Sequence, residues 1–340
     1  MTQRSGSSVA EGDSPSSSLG PDLARSALAG DRRAVARLLT LVENGTEEGA
    51  AALTELYPHT GGAHVIGFTG SPGAGKSTLL NCVAQAFRHR GNTLAVVAVD
   101  PTSPFSGGSV LGDRLRMRDL VTDSGVFIRS MASRGHPGGL AHATRDVVSV
   151  LDAVGTGFIF VETVGAGQAQ VDIARLAHTV VLVEAPGMGD EVQALKAGLL
   201  EIADIIVVNK GDRPEVQQTV QAIRTVIAGS GSVAGGWEIP ILRTSATERT
   251  GIEALVEAIL AHRQHMQATD LWSARQARQA YADIEGWLRR YFDEWVAQCM
   301  DTRDYDALAE AVVRRACDPA TAAHSLLTRF TEGLCSKLKG

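Results

Sequence analysis

The sequence predicts an α/β fold built on a mostly parallel sheet, and three observations carry that prediction. Seven short apolar runs recur along the middle of the chain: "HVIGFTG", "TLAVVAVD", "GVFIRSM", "FIFVETVG", "TVVLVEA", "IIVVNKGD" and "IPILRTSA". Helix-patterned stretches at 77–90, 139–154, 190–203, 214–229 and 251–268 lie between most of them. The runs are apolar on both faces, as strands must be when helices cover both sides of a parallel sheet. Each run ends in a polar or glycine-rich tip. Ligands of such sheets sit beyond the carboxyl ends of the strands, so the tips are expected to converge on one site.

In chain order, residues 1–20 are rich in Ser and Gly and are expected to form a disordered tail. Residues 21–62 read as a helical arm. Leu23, Leu28, Val35, Leu38, Leu39 and Val42 stand at helical spacing, "EEGAAALTELY" continues as a second helix, and "PHTGG" ends it. The alternating strands and helices occupy 63–268. Residues 269–340 are helical again, with Tyr281, Ile284, Leu288, Tyr291 and Trp295 on one stripe of a long segment. A stripe of that size suggests a homodimer made through the C-terminal helices, because aromatic residues are enriched in interface cores. Packing within its own domain is the alternative.

Composition narrows the partners. Of 340 residues, 44% are hydrophobic and 21% charged, which suits a globular protein. The net charge of −6 argues against nucleic-acid binding. No apolar run is long enough to insert in a membrane, and the first twenty residues have no hydrophobic core, so a cytoplasmic location is expected. The four cysteines form no CxxC pair and read as buried, reduced thiols.

"GSPGAGKST" matches G-x-x-x-x-G-K-S between a strand and a helix. Its members Gly70, Ser71, Pro72, Gly73, Ala74, Gly75, Lys76, Ser77 and Thr78 are expected to cradle phosphates. Gly73 and Gly75 let backbone N–H groups face the phosphates, Lys76 bridges the β and γ groups, and Ser77 ligates Mg²⁺. "NKGD" follows the sixth strand. Asp212 there can accept both N1–H and the N2 amino group of guanine, a donor pair that adenine lacks. Asn209 and Lys210 brace that loop and flank the base, and Ser245 and Ala246 of "TSA" complete the pocket. GTP or GDP is therefore the expected ligand. Glu162, at the end of "FIFVE", is an acid placed to hold Mg²⁺, and the N–H of Gly165 can meet the γ-phosphate, as in a sensor. Asp100 is a second acid on a neighbouring tip. Asp113 is a third, or else a capping residue. Lys76, Asp100, Asp113 and Glu162 are the candidate catalytic residues, and Ser77, Asp100, Asp113 and Glu162 the candidate metal ligands.

With these motifs stand "VDPTSPFSGGSVLGDRLRM", "SMASRGHPGGLA", "VETVGAGQ" and "APGMGDEVQALKAG". In order and spacing they resemble the MeaB/ArgK group of P-loop G proteins, the methylmalonyl-CoA mutase-associated GTPases, some once called LAO/AO transport system kinases. The resemblance implies a SIMIBI-class G domain with a helical arm and a C-terminal dimerisation helix. It implies slow GTP hydrolysis that gates cobalamin delivery to an adenosylcobalamin-dependent acyl-CoA mutase and protects that enzyme. It puts Lys76, Ser77, Asp100, Asp113 and Glu162 on phosphate, Mg²⁺ and switch positions, Asp212 on the base-reading position, and 186–196 on a segment that addresses the mutase. The chain departs from the family pattern at Arg114, Gly157, Gln170, Met188 and Gly211.

Two other readings share the phosphate loop. A kinase tied to transport of basic amino acids needs an acceptor pocket and a base, and no motif supplies them. A nickel-insertion GTPase needs a Cys/His cluster, and of nine histidines only His262 and His265 are closely paired.

Overall fold

The computed structural model describes residues 18–101, 117–133, 139–163, 173, 175–187, 199–229, 236–299 and 302–337. The chain divides into two compact units, Met1–Gln279 and Ala280–Gly340.

The first unit opens with three helices, α1 (Leu19–Leu28), α2 (Arg32–Glu43) and α3 (Glu47–Leu56). The sequence pattern read α1 and α2 as one helix. They are broken at Gly30, whose φ of +93° an α-helix cannot hold. Asp31 then caps α2 by accepting from the Arg33 N–H at 2.8 Å, and Thr46 caps α3 through the Gly49 N–H at 3.1 Å. Helix α1 begins inside the stretch assigned to the tail. Gly20 packs there so closely on α3 that a Cβ would lie 2.2 Å from the Glu48 carbonyl.

All seven apolar runs are strands: β1 (His64–Gly70), β2 (Leu94–Pro101), β3 (Val126–Ser133), β4 (Phe158–Thr163), β5 (Thr179–Glu184), β6 (Ile205–Val208) and β7 (Ile241–Arg243). They form one parallel sheet in the order β3-β2-β4-β1-β5-β6-β7. The helices between them are α4 (Lys76–His89), α5 (Arg118–Val121), α6 (Gly139–Ala153), α7 (Leu199–Ile202) and α8 (Val216–Gly229), and α9 (Ile252–Ala268) follows β7. Of the stretch 190–203, only its end, α7, lies within the described residues.

Alternation along each strand sends successive side chains to opposite faces. Ile66, Phe68, Leu94, Val96, Phe158 and Phe160 join Leu79, Val83 and Phe87 of α4 and Leu255 and Ile259 of α9 in one core. Val65, Ala95, Val97, Ile159 and Val161 join Leu38, Leu39 and Val42 of α2 and Val147 and Leu151 of α6 in another. The arm thus covers one face of the sheet. Ile206 and Val208 belong to a third cluster with Val216, Val220 and Ile223 of α8. Among the described residues, helices pack on both faces of the sheet, which leaves the strand ends for chemistry.

The amino-terminal edge of the sheet carries a buried polar network. His64 Nε2 lies 2.7 Å from Thr179 Oγ1, and that hydroxyl lies 2.8 Å from His262 Nδ1. His178 Nδ1 accepts the Val65 N–H at 3.0 Å. Asp204 accepts the Val180 N–H at 2.8 Å and the guanidinium of Arg275 at 3.0 Å, while its carbonyl accepts Trp237 Nε1–H. Trp272 stacks on His178 at 4.2 Å. Trp272, Arg275 and Gln279, which donates to the Leu176 carbonyl, all belong to α10 (Leu271–Cys299). The start of that helix is therefore fastened to the sheet's amino-terminal edge.

In the second unit, α10 continues and is followed by α11 (Thr302–Val313) and α12 (Pro319–Lys337). Tyr281, Ile284, Leu288 and Tyr291 are each at least 59% exposed, so the apolar stripe of α10 is open over those residues. The side chain of Trp295 lies outside the described residues. Of the four cysteines, Cys82 is buried as expected, whereas Cys317 is only half-buried.

Candidate functional site

The phosphate loop joins β1 to α4 at the carboxyl end of the sheet. Gly70 has φ +131°, and a Cβ there would lie 2.0 Å from the Val183 carbonyl oxygen on β5. Gly75 is the left-handed cap of α4, with φ +89°, and a Cβ there would meet Asn209 Nδ2 at 2.6 Å. Both positions need glycine, for conformation and for space. The first N–H groups of α4 have no partner within their own helix and make an anion site with the helix dipole behind them. Lys76 is buried in the loop, its Nζ donating to the carbonyls of Gly70 at 2.9 Å and Ser71 at 3.1 Å. The loop folds around its own cation.

Ser77, one residue on, donates through Oγ to Glu162 Oε1 at 2.7 Å, and both residues are buried. The order β4-β1 makes this pair, since β4 lies directly beside the strand that feeds the loop. A hydroxyl and a carboxylate side by side form a hard oxygen donor set, the kind that suits Mg²⁺. Asp100 stands at the end of β2 next to β4, paired in register with Ala132, and its side chain lies outside the described residues. Asp113 and Gly165 also lie outside them, as do residues 188–198 of the segment 186–196 and its flank.

The "NKGD" loop leaves β6 and is tied to the phosphate loop by its own side chains. Asn209 Nδ2 donates to the Ala74 carbonyl at 2.9 Å, and Lys210 Nζ donates to the Gly73 carbonyl at 2.7 Å. Asn209 Oδ1 accepts from Thr244 Oγ1 at 3.1 Å and from the Ala246 N–H at 3.2 Å. Ser245 Oγ donates to Asp212 Oδ1 at 2.9 Å. That hydroxyl, with a backbone N–H, holds the exposed Asp212 carboxyl below its ordinary range. Asp212 is therefore a ready acceptor aimed by the "TSA" loop. Phosphate loop, Glu162, "NKGD" and "TSA" meet at one edge, as the strand tips implied.

One member of this edge was missed. Glu184, the last residue of β5, is buried and accepts from Ser71 Oγ at 2.8 Å. Its signal in the sequence is a charge closing the apolar run "TVVLVE", but only the strand order puts that run beside the phosphate loop. The His262/His265 pair, weighed as metal-binding, does something else: both rings pack on Trp237, at 4.8 and 5.3 Å. Among the described residues no group of three or more His, Cys, Asp or Glu is placed to hold a metal ion.

Residues 35–300 match the family described as methylmalonyl Co-A mutase-associated GTPase MeaB. The chain belongs to the MeaB family. A Pyrococcus abyssi chain described as a GTPase is 43% identical over 306 residues, covering 89% of this chain and 94% of the relative. Escherichia coli GTPase ArgK is 36% identical, with 78% of this chain and 82% of ArgK covered. The crystal structure of a LAO/AO transport system kinase superposes with a TM-score of 0.70 at 26% identity, covering 93% of this chain and 98% of that one. This MeaB-family chain is a P-loop GTPase. None of its described helices is long and apolar enough to cross a membrane.

Proposed function

We propose that this MeaB-family GTPase is a nucleotide-dependent switch that associates with an adenosylcobalamin-dependent acyl-CoA mutase, gates delivery of its cofactor and protects it. The observation that carries the reading is the meeting of the Ser77–Glu162 pair, buried Lys76 and the Asp212–Ser245 pair at one sheet edge. The family's description as mutase-associated supports the choice of partner.

In this reading the N–H groups of Gly73 and Gly75 and the helix start take the β- and γ-phosphates of GTP. Lys76 leaves the Gly70 and Ser71 carbonyls for the phosphate oxygens. Asp212 accepts from guanine N1–H and N2, oriented by Ser245. Ser77 and Glu162, with Asp100 and Asp113, would hold Mg²⁺, which when bound offsets the negative charge on the β- and γ-phosphates. The N–H of Gly165 meets the γ-phosphate and lets go once it is hydrolysed, which makes the loop after β4 a sensor. The exposed stripe Tyr281, Ile284, Leu288 and Tyr291 supports a homodimer through the C-terminal helices.

The test is a pull-down with methylmalonyl-CoA mutase, followed by GTPase assays with and without it. Binding together with a several-fold rise in turnover is expected. Neither binding nor stimulation would remove the mutase from the reading. The kinase alternative draws on the name of the solved relative. Labelled GTP incubated with arginine or ornithine is expected to yield free phosphate and no phosphorylated amino acid.

A further inference from the structure

The register of β1 on β5 pairs Gly70 with Val183, so Ser71, the first residue beyond β1, comes beside Glu184, the last residue of β5. The Glu184 side chain takes the Ser71 hydroxyl at 2.8 Å. Its main-chain carbonyl takes the Asn209 N–H at 2.7 Å. Asn209 in turn reaches back through Nδ2 to the Ala74 carbonyl at 2.9 Å. The bonds close a ring: phosphate loop, end of β5, base-reading loop, phosphate loop. A carboxyl group only 3% exposed beneath an anion-binding loop is an electrostatically expensive choice. Packing alone would be served better by an apolar residue, as it is at the preceding Val183. The position of Ser71 also matters, because its carbonyl and that of Gly70 hold Lys76.

We propose that Glu184 is a positioning residue of the GTPase site: through Ser71 it holds the first turn of the phosphate loop in its phosphate-binding shape. The base-reading loop is held from the same residue, but through its main chain. Side-chain substitution therefore loosens the grip on phosphate and leaves the reading of guanine unchanged. A loop held in its bound shape loses less entropy when ligand arrives, so the loss is read as affinity. This inference rests on the proposed role of residues 70–78 as the phosphate cradle.

The experiment is titration of the full chain, with Mg²⁺, by fluorescent GDP and GTP, with IDP as competitor. IDP lacks the 2-amino group and reports base reading. Ser71→Ala and Glu184→Ala are each expected to weaken GDP and GTP by about tenfold, the scale of a hydrogen bond to a charged group. The double variant is expected to be no weaker than the weaker single one, since both changes remove the Ser71–Glu184 hydrogen bond. Glu184→Gln keeps an acceptor oxygen and is expected to stay within about threefold of wild type. The preference for GDP over IDP stays the same throughout. Affinity within twofold of wild type for Ser71→Ala, losses that multiply in the double variant, a Gln variant as weak as the Ala variant, or a changed IDP preference would each overturn the proposal. Ser71 sits on the half-buried loop, so Ser71→Ala with Glu184→Gln decides the matter even where Glu184→Ala does not fold. Wild type that binds no GDP overturns the cradle reading as well; wild type that binds beside unaffected variants overturns the Glu184 role alone.

Discussion

The two ends of the sheet solve opposite problems with buried polar groups. At the carboxyl end, Lys76, Ser77, Glu162 and Asn209 are buried but anchored to the main chain of loops or to one another in ways that a ligand can replace. At the amino end, His64, His178 and His262 are buried among themselves, Thr179, Asp204 and the rings of Trp237 and Trp272. Burial, first of all, pushes His178 and His262 down to about 4, with Arg275 adding to the effect at both. His64 is held well below its usual range by the same burial and by its neighbours His178, Arg263, His262 and Arg275. Asp204 stands 3.4 Å from His262 and pulls the other way, but burial wins, so this contact joins a neutral imidazole to a carboxylate and is not an ion pair. One end gathers the residues proposed to take the nucleotide. The other is a network of neutral histidines around the Asp204–Arg275 pair that fastens the start of α10 to the sheet.

That contrast can be broken experimentally. The largest effect is expected from Lys76→Ala, which should lower kcat/KM for GTP by about a thousandfold while leaving the thermal midpoint unchanged, since the lost contacts are to loop carbonyls. Turnover assays and a melting curve on the same sample check both halves. Next comes acid. The histidines of the unfolded chain take protons as pH falls through about 6.5, whereas folded His178 and His262 resist until about 4. Their stabilising contribution is complete above pH 6.5 and drains away between there and pH 4, by up to roughly 3 kcal/mol for each ring. Urea unfolding at several pH values reads this out. A stability flat over that window would mean the amino end is not held neutral. Asp212→Asn follows: GDP affinity should drop on the order of 100-fold, with xanthosine diphosphate gaining, because an amide replaces the carboxylate proposed to accept from the base. The smallest effect is expected from Arg275→Ala, which removes the clasp on Asp204 and should cost about 2 kcal/mol of stability with GDP affinity within twofold of wild type. A loss of nucleotide binding in that variant would show the two ends to be coupled.

Much of this was readable along the chain. Seven strands were visible because each is a contiguous apolar run, and the phosphate and base-reading loops because each packs its chemistry into a few adjacent residues. Glycine demands at 70 and 75 are local too, set by backbone torsion as much as by neighbours. The breaks were less clear: α1 and α2 share one apolar periodicity, and a single glycine turn at Gly30 separates them. Pairings across strands were out of reach. Ser77 and Glu162 are 85 residues apart, Ser71 and Glu184 are 113 apart, and the histidines of the amino end come from β1, the residue before β5, and α9. Periodicity and turn chemistry depend on neighbours in the chain, and so the sequence specifies which segments are strands and which loop holds phosphate. Strand order depends on which long-range packing of those segments is lowest in free energy, and that packing, with β1 set between β4 and β5, is what puts two acids beside the phosphate loop and buries three neutral histidines behind it.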